Sequence, residues 1–329
     1  MKKTAIVTAI GSFSAQEVIE GCRRAGLRVV GCDIYPGSWV VNSKDVDAFR
    51  QAPYAVDRDN YKAFLIDLCH REQADYLLPL TDAEIDVLQD WPSAEEELGV
   101  TVCMSGHDAI TLCRDKGKME RFLAPKAVCR LIPGIYLTEL DEKTLAYPAV
   151  MKPVDGRSSQ GLRVVNSPKE MELARELCGD RAEKYLVQPL VQGRIVTVDV
   201  VRNPAGGQVV CLPRRELVRT HNGAGLSVYM FRDENLEGQC RAMAELIGIR
   251  GCVNFEFIES EEDDGRGRWH FLECNPRFSG GVAFSSMAGY DMVKNHLNCF
   301  MGRPLEPMGQ IREQYIARRY GEYRMDLED

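Results

Sequence analysis

The chain has 329 residues, 45% hydrophobic and 27% charged, with 41 basic against 49 acidic side chains and a net charge of −8. That balance fits a globular protein of two or three packed units and argues against nonspecific nucleic-acid binding, which needs a basic surface. No apolar run approaches the ~20 residues that span a bilayer, and the 12 cysteines, without any Cys-x-x-Cys, fit buried thiols in a reducing cytoplasm better than a disulfide framework or a zinc site.

The first third alternates strand and helix. Met1 to Thr8 is basic, then apolar, and soon reaches Gly11-Ser12, so it reads as a first strand (Thr4 to Ala9) rather than a signal peptide. Helix periodicity over Ser14 to Ala25 stops at Gly26, and a second strand covers Arg28 to Asp33. Tyr61 to Glu72 reads as helix, Asp75 to Pro79 as strand, Asp82 to Asp90 as helix and Val100 to Met104 as strand. Such alternation predicts a parallel sheet with helices on both faces. The first strand–helix turn, Ala9 to Ser14, has one glycine and lacks the dinucleotide fingerprint. A dinucleotide oxidoreductase is therefore disfavoured, and Asp33 reads as a structural strand-end acid.

Beyond about residue 110 the texture becomes α+β. Asp115-Lys116-Gly117-Lys118 opens a helix, Lys152 ends a short apolar strand, and Asp155-Gly156-Arg157-Ser158-Ser159-Gln160-Gly161 follows. Small residues there leave backbone N–H groups free to wrap an anion, with the Ser158 and Ser159 hydroxyls as further donors and Lys152 as a point charge beneath. The spacing is not that of a Walker A loop. Pro168 to Leu177 is helical, and Tyr185 to Phe231 holds long strands of antiparallel type. Pro189 marks Tyr185–Leu190 as an edge or hinge, where the Gln188 amide and free backbone groups suit a purine edge. Arg214, Arg215 and Arg219 precede the bend Asn222-Gly223-Ala224-Gly225, a grouping suited to carboxylate or phosphate capture, and Arg215 is taken as a candidate catalytic residue.

Glu234 to Ile247 reads as helix, and a hairpin follows. In Val253 to Phe257 the alternation sets Glu256 against the phenylalanines. In His270 to Asn275 it puts Glu273 and Asn275 on one face and His270, Leu272 and Cys274 on the other. A two-residue turn at Asp264-Gly265 would set Glu256 directly opposite Glu273, within about 5 Å. Facing carboxylates repel, so a cation is expected between them. Two acids with the Asn275 amide suit Mg²⁺ shared with phosphates. Arg277 lies close enough to meet a transferring phosphoryl group. The last residues, Met325 to Asp329, are acidic.

In this order the stretches Asp115-Lys116, Pro148 to Pro153 with its small-residue loop, the hinge at Gln188–Leu190, and Glu256…Glu273-Cys274-Asn275-Pro276-Arg277 resemble the ATP-grasp superfamily. Its carboxylate–amine ligases and the halves of carbamoyl-phosphate synthetase large chains are the nearest in pattern. The resemblance implies an α/β plus α+β fold: an N-terminal open parallel-sheet domain (1–110), then a first lobe (111–186) and a C-terminal lobe with the metal site (187–329) that clamp ATP. It implies that Lys116 and Lys152 contact phosphates, with Ser158 and Ser159 in the closing loop. Gln188 and Leu190 would flank adenine, and Glu256, Glu273 and Asn275 would hold Mg²⁺ or Mn²⁺. Arg277, with Lys152 and Arg215, would serve the reacting groups.

The implied activity is a cytoplasmic ATP-dependent ligase. It would activate a small carboxylate as an acyl phosphate and join it to an amine, amino acids being the expected class. A non-catalytic nucleotide or metabolite sensor is the alternative, kept alive by Ile195 where the family usually has a ribose-binding glutamate. Gln188 stands where the hinge commonly has an acid. Carbamoyl phosphate synthesis itself would need a second such module and an ammonia source. The Gly11–Ser14 turn, Thr81 to Glu84 and the Arg214–Arg219 cluster are the candidate linings of the acceptor pocket, and a homodimer is the default assembly.

Overall fold

A computed structural model describes residues 2–141, 145–156, 160–221, 223–260 and 267–325. The N-terminal strands β1 (Thr4–Val7), β2 (Arg28–Asp33), β3 (Ala48–Gln51), β4 (Tyr76–Leu78) and β5 (Thr101–Val102) form a wholly parallel sheet of order β3-β2-β1-β4-β5. Its helices are α1 (Ala15–Arg24), α2 (Arg58–Arg71), α3 (Asp82–Gln89), α4 (Ala94–Leu98) and α5 (His107–Cys113). Alternate residues of β1 serve different cores. Ala5 and Val7 pack with α1, while Ile6 packs with Val30, Leu77 and the apolar side of α2. Both faces of the sheet are thus covered, as strand–helix alternation predicts. Strand β3 carries Phe-Arg-Gln on a half-exposed edge and has no apolar run to announce it.

Helix α6 (Lys116–Leu123) leads into β6 (Arg130–Leu131) and β7 (Ile135–Tyr136), followed by β8 (Ala149–Pro153), β9 (Arg163–Val165), α7 (Pro168–Cys178) and β10 (Tyr185–Pro189). Strands β7, β10, β8 and β9 form a second sheet in that order, with α7 packed on it through Met171, Ala174 and Cys178. The expected boundary after residue 186 cuts through β10, which pairs with β8 from Tyr185 to Pro189 and so belongs whole to this sheet.

The third sheet has seven strands, in the order β16-β13-β12-β11-β14-β15-β6. Its members are β11 (Gly193–Asn203), β12 (Gln208–Arg219), β13 (Gly225–Met230), β14 (Gly251–Ser260), β15 (Trp269–Asn275), β16 (Gln314–Ala317) and β6, with helix α8 (Glu234–Ile247) against one face. Helices α9 (Val282–Met287) and α10 (Met292–Phe300) fill the space between this sheet and α1. One apolar core therefore runs from β1 and α1 through α10 to Val201, Leu212 and Val228 of the large sheet. The N-terminal sheet is welded to the large one rather than tethered to it.

Candidate active site

Between the second and third sheets lies a cleft of about 700 Å³ that reaches the loops after β1 and β4. One end is apolar, walled by Ile132, Val150, Val164, Leu190, Ile258 and Leu272. Gln188 lies at this end, buried, and its Nε2 donates to the Ile132 carbonyl at 2.7 Å. The Leu190 N–H donates to the Pro148 carbonyl at 3.1 Å. The other end is charged.

There Glu256 of β14 faces Glu273 of β15 across the ladder, and Asn254 faces Asn275. The alternation that buries Phe255 and Phe257 in the core under α8 turns Asn254, Glu256 and Ile258 to the cleft. On β15 the alternation breaks. The register slips beside Glu256, so that Phe257 pairs with Phe271 and Leu272 is the extra residue of a β-bulge. Phe271 and Cys274 pack in the core, whereas Leu272, Glu273 and Asn275 all line the cleft. The expected placing of Leu272 opposite Glu273 is thereby corrected. Without the bulge, Glu273 would point into the core. The expected turn at Asp264-Gly265 lies outside the described residues, and the ladder beyond the bulge runs Ile258 to His270 and Glu259 to Trp269, one residue out of step with it.

Cations surround the acidic pair. The Asp115 carboxylate caps α6 by accepting from the Lys118 N–H at 2.9 Å, and the Lys116 N–H donates to the Val154 carbonyl at 3.1 Å. Lys116 Nζ then reaches Glu273 Oε2 at 3.2 Å and donates to the Gly156 carbonyl at 2.9 Å. Arg219 Nη2 lies 3.4 Å from Glu256 Oε2. Asn275 donates to Asn254 Oδ1 at 3.2 Å and to Glu273 Oε1 at 3.3 Å.

The two carboxyls are pushed apart in acidity. Burial, reinforced by the neighbouring Glu273, raises Glu256 to about 7. Burial works the same way on Glu273, but Lys116 and Lys152 outweigh it and hold that carboxyl below its ordinary value. Lys152 is buried on β8, and burial together with Lys116 lowers it to about 8 against the pull of Glu273. A desolvated ammonium beside another cation is a site in want of an anion.

Arg277 also lines the cleft. Its Nε and Nη2 donate to the two oxygens of Asp82, at 3.2 and 3.1 Å, a fork-to-carboxylate pair that ties the first residue of α3 to the loop after β15. Of the arginine cluster, Arg214 and Arg219 reach the cleft and Arg215 does not. Arg215 follows Arg214 on β12 and so takes the opposite face, where it forks onto Glu259 at 2.7 and 2.8 Å and stacks 4.0 Å over Phe231. This corrects its candidacy as a catalytic residue.

Arg214 is 1% exposed and held by Asp199 at 2.7 Å, Glu216 at 3.0 Å and Ser279 at 3.0 Å. Gly281 and Gly225 make room for this buried group. A Cβ at Gly281 would stand 2.8 Å from the guanidinium, and one at Gly225 would stand 2.4 Å from Glu216 Oε2. Arg157, Ser158 and Ser159 lie outside the described residues. Lys116, Lys152, Gln188, Leu190, Glu256, Glu273, Asn275 and Arg277 all come together in the one cleft. Sequence reasoning missed Asp82 as the partner of Arg277. It also missed Asn254, although that residue shares the parity of Glu256. The donor set of two facing carboxylates and an amide fits a hard divalent cation, and no cluster of three or more His, Cys, Asp or Glu suggests another metal among the described residues. No described helix is long and apolar enough to cross a membrane.

Residues 181–320 match the family model "ATP-grasp in the biosynthetic pathway with Ter operon". The carbamoyl phosphate synthase large chain of Clostridium beijerinckii is 26% identical over 219 residues, covering 61% of this chain and 20% of that one. A Clostridium botulinum large chain is 24% identical over 249 residues, 71% of this chain and 20% of its own. The chain thus spans about a fifth of the length of these curated relatives. In fold it is similar to biotin carboxylase from Campylobacter jejuni in its β-γ-ATP complex, with a TM-score of 0.78, 19% identity, and coverage of 95% of this chain and 74% of that one. It is similar also to N5-carboxyaminoimidazole ribonucleotide synthetase in its ADP complex, with a TM-score of 0.74, 16% identity, and coverage of 96% and 81%.

Proposed function

We propose that this chain, whose fold is that of ATP-grasp proteins, is an ATP-dependent ligase that activates a small-molecule carboxylate as an acyl phosphate and joins it to an amine, releasing ADP and phosphate. One observation carries the reading: Glu256, Glu273 and Asn275 converge in the same cleft as Lys116, Lys152 and Arg277. The apolar end suits a purine, with Gln188 and Leu190 beside it. Lys116 and Lys152 stand where a triphosphate would run toward the acids. A magnesium ion held by Glu256, Glu273 and Asn275 would neutralise charge on the transferring phosphoryl group, which is most of what such transfer asks of a protein. Arg277 offers its fork to the acyl phosphate once it leaves Asp82. Closure of the sheets over the site would keep water from the mixed anhydride. The substrates are amino acids or related metabolites, since the loops after β1 and β4 leave room for small molecules beside Arg277.

The experiment is an ADP-release screen with Mg²⁺ and pairs of amino acids, with products read by mass. ADP formation that needs both a carboxylate and an amine supports the ligase. Tight ATP binding with no turnover for any pair supports the alternative, a nucleotide or metabolite sensor. Ile195 in the cleft wall, where the resemblance to ATP-grasp enzymes implies a ribose-binding glutamate, is the observation that favours that second reading.

A further inference from the structure

A second cavity of about 640 Å³ opens at the carboxyl ends of β1, β2 and β3, in the N-terminal sheet. In an open parallel sheet this is the end where ligands bind. Its wall is aromatic and unusually bare. Trp39 is 73% exposed, Tyr54 59% and Tyr35 49%, and Tyr35 stacks on Trp39 at 6.1 Å between centroids. Among the described residues that line it there is no Lys, Arg or His. Two acids are present. Glu84 is engaged by Tyr61, Thr81 and Leu80. Among the described residues Asp33 accepts from backbone donors, Gly11 at 2.7 Å and Tyr35 at 3.1 Å, one on each oxygen, which leaves lone pairs on both. Gly11, Ser12 and Thr81 border this cavity and the nucleotide cleft alike, so one ligand can occupy both.

We propose that this cavity holds the apolar end of a substrate, an uncharged or positively charged aromatic group recognised by the Trp39–Tyr35–Tyr54 wall and Asp33, while the reacting carboxylate or amine lies in the cleft. Aromatic faces attract cations, and an unpaired carboxylate disfavours an anion. The substrate therefore includes a component larger than glycine or alanine and not acidic at its far end. This rests on the ligase reading for what the far end reacts with, but not for the cavity's own ligand.

Trp39 supplies the test. It is exposed, whereas the other two tryptophans, Trp91 and Trp269, are buried at 6% and 3%. The full chain is titrated without nucleotide with phenethylamine, 2-phenylethanol and phenylacetate, with tryptophan emission excited at 295 nm as the readout. Expected is a saturable change with phenethylamine, affinity for phenylacetate weaker by about tenfold or more, and loss of the signal in Trp39→Phe. By isothermal titration, Tyr54→Ala should weaken phenethylamine at least about threefold and leave MgATP binding unchanged. No saturation with any probe, or phenylacetate binding best, overturns the proposal. Saturation by phenethylamine in a chain that releases ADP with no substrate pair would uphold the cavity and sink the ligase reading. Turnover of small amino acids without any probe binding would do the reverse.

Discussion

Glu256 holds its proton near neutrality because it is buried against a second carboxylate, and this has two measurable consequences. Its value in the folded chain, about 7, lies above its ordinary range, so the unfolded chain gives up that proton first. Stability is then fully present below the ordinary carboxylate range and is lost as pH rises through about 7. A divalent ion needs the proton gone, so Mg²⁺-dependent nucleotide binding should strengthen over the same rise. Glu256→Gln should stabilise the ligand-free protein by about 1 kcal/mol by removing the repulsion and abolish the extra thermal shift that Mg²⁺ gives with ATP. A variant as responsive to Mg²⁺ as the parent would refute the metal role. Lys152 has the mirror-image problem. Burial and Lys116 lower it to about 8, so its charge costs stability at neutral pH and that cost fades as pH climbs past 8. Lys152→Met should melt higher than the parent yet bind ATP at least about tenfold more weakly, the loss of one desolvated charge contact. Differential scanning fluorimetry and calorimetry check both halves.

The β-bulge at Leu272 shows what an element contributes beyond its residues. It lets Phe271 and Cys274 point to the core while Glu273 and Asn275 point to the cleft, which strict alternation from Phe271 forbids. Deleting Leu272 removes the extra residue and leaves a regular ladder in which Phe271 and Cys274 still face the core and Glu273 and Asn275 the cleft, so the variant should unfold cooperatively and keep its Mg²⁺-dependent gain in ATP binding. Circular dichroism melts with and without MgATP check this, and loss of the MgATP shift would count against Leu272 as the extra residue. The cleft-facing side of Glu256 was legible in the sequence because Phe255 and Phe257 fix the parity of β14, whereas its pairing with Glu273 was expected from a turn at Asp264-Gly265 with which the outer ladder is one residue out of step. The bulge was not, since nothing about Leu272 marks it as the extra residue. Most of the helix–strand alternation before residue 110 was legible because those elements carry one apolar period, whereas the half-exposed β3 carries none. Helix α10 was hidden for the opposite reason. Every residue of Met292–Phe300 but Lys294 is buried, so no stripe appears. Arg215 was misplaced because charge type was read without strand parity.

At the scale of the whole molecule, α10 joins the N-terminal sheet to the large one, and His296 is its polar rivet. The Cys252 N–H donates to Nδ1 at 2.8 Å, so Nε2 carries the proton and meets the Cys103 carbonyl at 3.1 Å. Burial drives this imidazole down to about 3. Its neutral form is therefore the folded form, and the stability it allows is present above the ordinary histidine value and lost as pH falls toward 3. Between pH 6.5 and 4 the loss from this residue should be roughly 3 kcal/mol. Urea midpoints at the two pH values should converge in His296→Gln, and an unchanged acid limb would count against the assignment. The same unity of the molecule bears on how the cleft is loaded. Lys116 spends its ammonium on Glu273 and on the Gly156 carbonyl at once, so a bare divalent ion must evict a lysine that has nowhere better to go. On the proposed site, a nucleotide arriving with its ion would bring the replacement along, so the pre-formed metal–triphosphate complex, and not either part alone, is the species this door should admit.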